Sequence, residues 1–194
     1  ILMQNYRQFI HQEYGVRQLL VEHTHFNDPE KREHIRRLLI RAAQQKTIPI
    51  VNYNDPVSDE ENRKMELAIR RSHGDQVVEC VDNDETAAVI ANLVHAKKLV
   101  LMTSTEGIYR DPADPKTLVE QVTAKSMEEL EEKVRQLQES CVGASRAGAN
   151  GAKAKLEYAL KSARQGTMVI IGHARHRLSD LVEGRVACTR IGLE

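Results

Sequence analysis

Three short stretches of this chain carry residue types that could do chemistry. Asp82-Asn83-Asp84-Glu85-Thr86 stands directly before the apolar run Ala87 to Val94. A helix start presents backbone N–H groups and the positive end of a dipole, so it tolerates carboxylates and attracts anions. A helix needs only one N-cap, and Asn83 or Asp84 would serve. The remaining polar groups are then either first-turn residues or a binding surface. Asn52-x-Asn54-Asp55 follows a short apolar run and offers amides beside a carboxylate. Gly148-Ala149-Asn150-Gly151-Ala152-Lys153-Ala154-Lys155 sets glycines before lysines at the mouth of a helix. Glycines let backbone N–H groups approach a phosphate, and a lysine there can neutralise it. The element is not a Walker A loop, because Gly143-x4-Gly148 is followed by Ala149 rather than Lys. A small-residue surface loop is its alternative reading.

The elements that must position these stretches alternate between strand and helix. Apolar residues at Leu2, Tyr6, Phe9 and Ile10 predict a helix stopped by Gly15. Strands are predicted at Val16 to Glu22, Ile48 to Val51, Gln76 to Val81, Leu99 to Met102, Val119 to Val122, Met168 to Ile171 and Ala187 to Ile191. Helices are predicted from Pro29 to about Gln45, Ser58 to Arg71, Ala87 to Ala96, Met127 to Gln138, Lys153 to Arg164 and Leu178 to Val182. This alternation indicates an α/β fold with a mostly parallel central sheet and helices on both faces. Ligands of such sheets bind outside the carboxyl ends of the strands. Polar or small residues stand at four of those ends: Asn52 to Asp55, Asp82 to Asp84, Thr103-Ser104 and Gly172-His173.

Composition narrows the class. The 194 residues hold 28 basic and 28 acidic side chains, so no net field argues for nucleic acid or an anionic membrane. No apolar run approaches membrane-spanning length, and no signal-peptide core stands out. Cys80, Cys141 and Cys188 are widely separated, which fits reduced, packed thiols in a cytoplasmic protein. His23-Thr24-His25 and His173-x-x-His176 lack a carboxylate or thiolate at close spacing, so no metal site is expected. Arg175, His176 and Arg177 read as a solvated loop. The chain opens on Ile1-Leu2-Met3 inside a helical pattern, and residues upstream of Ile1 are expected.

The order of these motifs resembles the amino-acid kinase family. It runs Asn52-x-Asn54-Asp55 after a strand, Asp82-Asn83-Asp84 before an Ala-rich helix, Leu101-Met102-Thr103-x3-Gly107-Ile108-Tyr109, then the Gly/Lys loop. The similarity extends from about Leu2 to Ile191. It implies a three-layer αβα sandwich without a P-loop, transferring the γ-phosphoryl of ATP, brought with Mg²⁺, to a carboxylate or related acceptor. The acceptor it implies is the γ-carboxylate of L-glutamate, as in the first step of proline biosynthesis. Carbamate, aspartate, N-acetylglutamate or a nucleoside monophosphate is the alternative within the family. A catalytically silent amino-acid or nucleotide sensor is the alternative outside catalysis.

The resemblance also implies roles. Asn52, Asp55, Asp82 and Asn83 match substrate contacts, and Asp84 matches the aspartate that organises the catalytic lysines. Thr103 and Ser104, with Gly148, Ala149, Asn150, Gly151, Lys153 and Lys155, match the nucleotide site. Asp84 and Lys155 are the implied catalytic pair. Glutamate's carboxylate is already ionised at neutral pH, so positioning and charge neutralisation should suffice without a strong base. Residues 1–194 are expected to form one such domain, with no further C-terminal domain and without the family's N-terminal glycine-rich strand and turn. A homo-oligomer acting on small molecules, with neither nucleic acid nor membrane as partner, is expected. Ser104 stands where the family has aspartate, Asn150 where it has a glycine and Cys188 where it has another. The connection Ser58 to Arg71 is longer and more charged than is usual there.

Overall fold

The computed structural model describes residues 2–53, 60–72, 77–79, 83–111, 113–140 and 151–194, with the backbone alone at 60–64 and 66. The chain is α/β, and among the described residues three of the four strand pairings are parallel. It divides into two units, Ile1–Thr86 and Ala87–Glu194.

In the first unit, helix α1 (Leu2–Phe9) precedes strand β1 (Gly15–Val21). Gly15 is therefore not the helix stop the sequence suggests but the first residue of the strand. Its N–H donates to the Lys46 carbonyl (3.0 Å), and Thr47 Oγ1 stands 2.8 Å from where a Cβ would sit. The short helix α2 (His23–Asn27) was not legible in the sequence. Helix α3 (Pro29–Gln44) starts where predicted, because Pro29 suits a first turn and the Asp28 side chain caps the N–H groups of Glu30 and Lys31. It buries Ile35, Leu39 and Ala42 and returns the chain to strand β2 (Thr47–Tyr53), parallel to β1 from Gly15↔Thr47 to Val21↔Tyr53. Helix α4 (Glu60–Ser72) follows, with Leu67 buried.

The predicted strand from Gln76 to Val81 is absent at 77–79, and its other residues lie outside the described ones. Its role passes to a side chain. Asn27 donates from Nδ2 to the Val78 carbonyl and accepts the Val78 N–H at Oδ1, both at 2.8 Å. A single amide thus satisfies both backbone groups, as a neighbouring strand would.

The boundary between the units falls inside helix α5 (Asn83–Leu93). In the second unit come strand β3 (Lys98–Thr103), strand β4 (Gln121–Ala124), helix α6 (Met127–Ser140), helix α7 (Ala152–Ala163), strand β5 (Met168–His173), helix α8 (Leu178–Glu183) and strand β6 (Thr189–Leu193). The sheet order is β3-β5-β6-β4, with β6 antiparallel to β5 and parallel to β4.

Alternate residues of β5 face two different layers. Val169 and Ile171 join a core with Leu99 and Leu101 of β3, Ala88 and Ala91 of α5, Leu130, Val134 and Leu137 of α6, and Leu156 of α7. Ile170 points the other way, to Leu181 of α8 and Cys188. The second unit is therefore a three-layer αβα arrangement. Cys188 is a buried free thiol there, and packing is its role.

Candidate active site

In the second unit, chain direction brings those predicted nucleotide residues that are described to one end of the sheet. β3 and β5 run parallel and finish together, with Thr103 opposite His173. Helix α7 packs on β5 and is joined to it by a tight turn, in which Thr167 donates its backbone N–H to the Ser162 carbonyl (3.2 Å). The helix must therefore run back along the strand. At 1.5 Å per residue it is about 18 Å long, and β5 at 3.3 Å per residue spans about 20 Å, so the helix N-terminus lies level with the strand's carboxyl end. Gly151 to Lys155 thus comes to the same end of the sheet as Thr103 and Ser104.

Helix α7 opens on Gly151, which provides no side-chain cap. Gln138 of α6 fixes its first turn by donating from Nε2 to the Lys153 carbonyl (3.0 Å). Lys153 is exposed and Lys155 half-buried, while Thr103 is half-buried and Ser104 exposed. Helix N–H groups with two lysines in one turn suit a polyanion such as a nucleotide polyphosphate.

The other predicted residues belong to the first unit. Asn52 is exposed at the carboxyl end of β2, one residue before Tyr53. Asn83 is already helical, so it and Asp84 occupy the first turn of α5 with Glu85, and neither is the N-cap. Asp84 is half-buried, and Thr86 behind it is buried. Glu85 accepts the Glu79 N–H at Oε1 (3.3 Å), holding the approach to the helix. Asp55, Asp82, Gly148, Ala149 and Asn150 lie outside the described residues, as do Cys80 and Cys141.

Several side chains that sequence reasoning passed over or read otherwise have definite work. His23 Nδ1 lies 3.3 Å from the Tyr53 hydroxyl, and His25 Nδ1 accepts the Glu22 N–H (3.1 Å), so this histidine pair holds the strand ends of the first unit. The predicted solvated loop at Arg175 and His176 is instead anchored: both side chains meet the carboxylate of Glu106, which is only 16% exposed. The partners are 70 residues apart in the chain, and no local pattern announces them. Among the described residues no three His, Cys, Asp or Glu side chains gather to hold a metal ion, and no helix is long and apolar enough to cross a membrane.

The second unit thus sets a glycine-opened, lysine-bearing helix beside the carboxyl ends of a parallel β3–β5 core. The chain belongs to the amino acid kinase family, whose profile matches residues 1–173. It is 30% identical to a glutamate 5-kinase of Geobacillus thermodenitrificans over 100% of this chain and 47% of that protein. Glutamate 5-kinase 1 of Bacillus subtilis is 29% identical over 99% and 48%. The chain spans about half the length of these curated relatives. A crystal structure from Aeropyrum pernix K1 superposes with a TM-score of 0.49 at 17% identity, covering 82% of this chain and 45% of that one.

Proposed function

We propose that the protein is an ATP-dependent phosphotransferase that phosphorylates the γ-carboxylate of L-glutamate, giving glutamyl 5-phosphate for proline biosynthesis in the cytoplasm. The observation that carries this reading is that strand and helix directions bring Thr103 and Ser104 to the same end of the second unit's sheet as Gly151 to Lys155. Similarity to the two glutamate 5-kinases supports the choice of acceptor.

The roles follow from chemistry. Lys153 and Lys155, with the N–H groups of the first turn of α7, would bind the phosphates of ATP, together with Gly148, Ala149, Asn150 and Gly151. Mg²⁺ would be held by phosphate oxygens and water and would shield phosphate charge. Asp55 and Asp82 suit an ammonium, and Asn52 and Asn83 suit carboxylate oxygens. Lys155 would neutralise charge on the transferring phosphoryl group, and Asp84 would orient the lysines. No general base is needed, because the attacking carboxylate is ionised at neutral pH.

The test is hydroxylamine trapping of the acyl phosphate, with glutamate compared against aspartate and N-acetylglutamate. Lys155→Ala and Asp84→Asn should each lower the rate roughly 100- to 1,000-fold, the usual loss when one transition-state contact is removed. An unchanged rate would take that residue out of the mechanism. Nucleotide binding without any acyl phosphate would favour a silent sensor, the reading that Ser104, in place of the family's aspartate, supports.

A further inference from the structure

We infer that Glu106 is a positioning residue for the nucleotide end of this site, clamping the exit loop of β3 to the exit turn of β5. This inference rests on the nucleotide reading above. The two segments are neighbours because Thr103 pairs with His173, and the Ala174 N–H donates to the Thr103 carbonyl (2.8 Å). Beyond that last ladder bond the backbone of each would be free to diverge. Glu106 prevents it: Oε2 lies 2.6 Å from His176 Nε2, and Oε1 pairs with the Arg175 guanidinium.

The turn that presents these two groups is itself closed. The Arg175 N–H donates to His173 Nδ1 (3.1 Å), and the His176 N–H to the His173 carbonyl (3.1 Å). On its far side Glu106 is followed by a second fixed point. A Cβ on Gly107 would come within 2.3 Å of Thr189 Oγ1 and 2.9 Å of the Thr189 backbone nitrogen, and Ile108 donates its N–H to that same hydroxyl (2.8 Å). Thr103 to Gly107 is thus held at both ends and in the middle.

An exposed ion pair contributes little, because solvent screens it and two long side chains must be ordered. Glu106 differs from that case. Its carboxylate is largely buried, Oε2 is hydrogen-bonded to His176, Oε1 accepts no hydrogen bond among the described residues but is ion-paired with Arg175, and both partners come from one turn. Removing its charge leaves Arg175 and His176 without their anion and releases the turn from the loop. Ser104, two residues upstream and exposed, is where that release would be felt by a bound nucleotide.

The experiment uses the full chain, Glu106→Gln and Arg175→Gln, with hydrogen exchange by mass spectrometry and MgATP titration by calorimetry. Wild type is titrated first, and failure to bind MgATP there overturns the nucleotide reading and this inference with it. Given binding, Glu106→Gln should speed exchange in 103–107 and 173–177 and nowhere else. It should raise the Kd for MgATP roughly 2- to 30-fold, as changes in a coupled network do, with the KM for glutamate unmoved. Arg175→Gln, which removes one exposed partner and should fold normally, should move the same two readouts less. Faster exchange with an unchanged MgATP Kd in both variants would sink the clamp while leaving the proposed activity standing.

Discussion

The sheet of the second unit is covered on both faces, whereas that of the first keeps Leu20 and Ile48 at its surface, 43% and 37% exposed. Both sheets contain a parallel pair of similar length, so pairing does not account for the difference. Side-chain pattern does. Met168-Val169-Ile170-Ile171 is a continuous apolar run, as a strand buried on both faces requires, and Val169, Ile170 and Ile171 have no exposed surface. Gly15 to Val21 interleaves Arg17 and Gln18, and only Val21 is buried. A rigid, doubly covered sheet fixes the ends of its strands, and Glu106 follows one such end, with the lysines of α7 beside it.

The largest effect should come from cutting into that covered sheet. Ile171→Ala should cost about 2–5 kcal/mol, the usual range for emptying a fully buried aliphatic site. Leu20→Ala, on the other sheet, should stay within about 0.5 kcal/mol, as surface substitutions do. Urea denaturation of the two variants measures both. Comparable losses would break the comparison, because they would mean that Leu20 is covered in solution.

A second test asks whether the first unit, with its smaller sheet, depends on side chains that imitate backbone pairing. Asn27→Ala removes the amide that holds both polar groups of Val78 and should cost about 1–3 kcal/mol, the penalty for leaving such groups unsatisfied. Hydrogen exchange of the Val78 amide should accelerate in parallel. If stability holds and the amide remains protected, some other group serves Val78 and Asn27 is incidental.

Asn27 also marks the boundary of what could be read from the chain. Elements whose signals are local were legible. The start of α3 at Pro29 and the helix from Met127 to Gln138 were both expected, and α3 and α6 form there. The apolar runs at Leu99 and Met168 announced β3 and β5, and glycines ahead of lysines marked the mouth of α7. What escaped depends on partners far away. Val78 meets its partner 51 residues off, so its apolar neighbours read as a strand that does not form at 77–79. Glu106 gave no signal of its own, because Arg175 and His176 lie on another turn. The direction of β6 against β5 was equally unreadable, since antiparallel and parallel pairing draw on the same apolar residues. Asn83 and Asp84, the cap candidates, are the first and second residues of α5, a shift expected where a row of capping residues stands in series.

The smallest effect concerns Asp28, the cap residue of α3, and its direction with pH is fixed by its partners. The Lys31 N–H holds its carboxyl below the usual 3.8, helped by the Glu30 N–H and the charges of Lys31 and Arg70, against a smaller opposing contribution from desolvation. A carboxyl lowered on folding contributes stability that is complete above its unfolded value and is lost as pH falls through the folded one. Asn also caps helices well, so Asp28→Asn keeps the geometry and removes only the charge. The variant should be slightly less stable than wild type at neutral pH, by less than the loss from Asn27→Ala. That gap should narrow as the pH is taken below 3.8 and close in stronger acid. Thermal melts of both proteins across that range measure the gap directly. A gap that stays constant into acid would show that geometry alone, without charge, holds the start of α3.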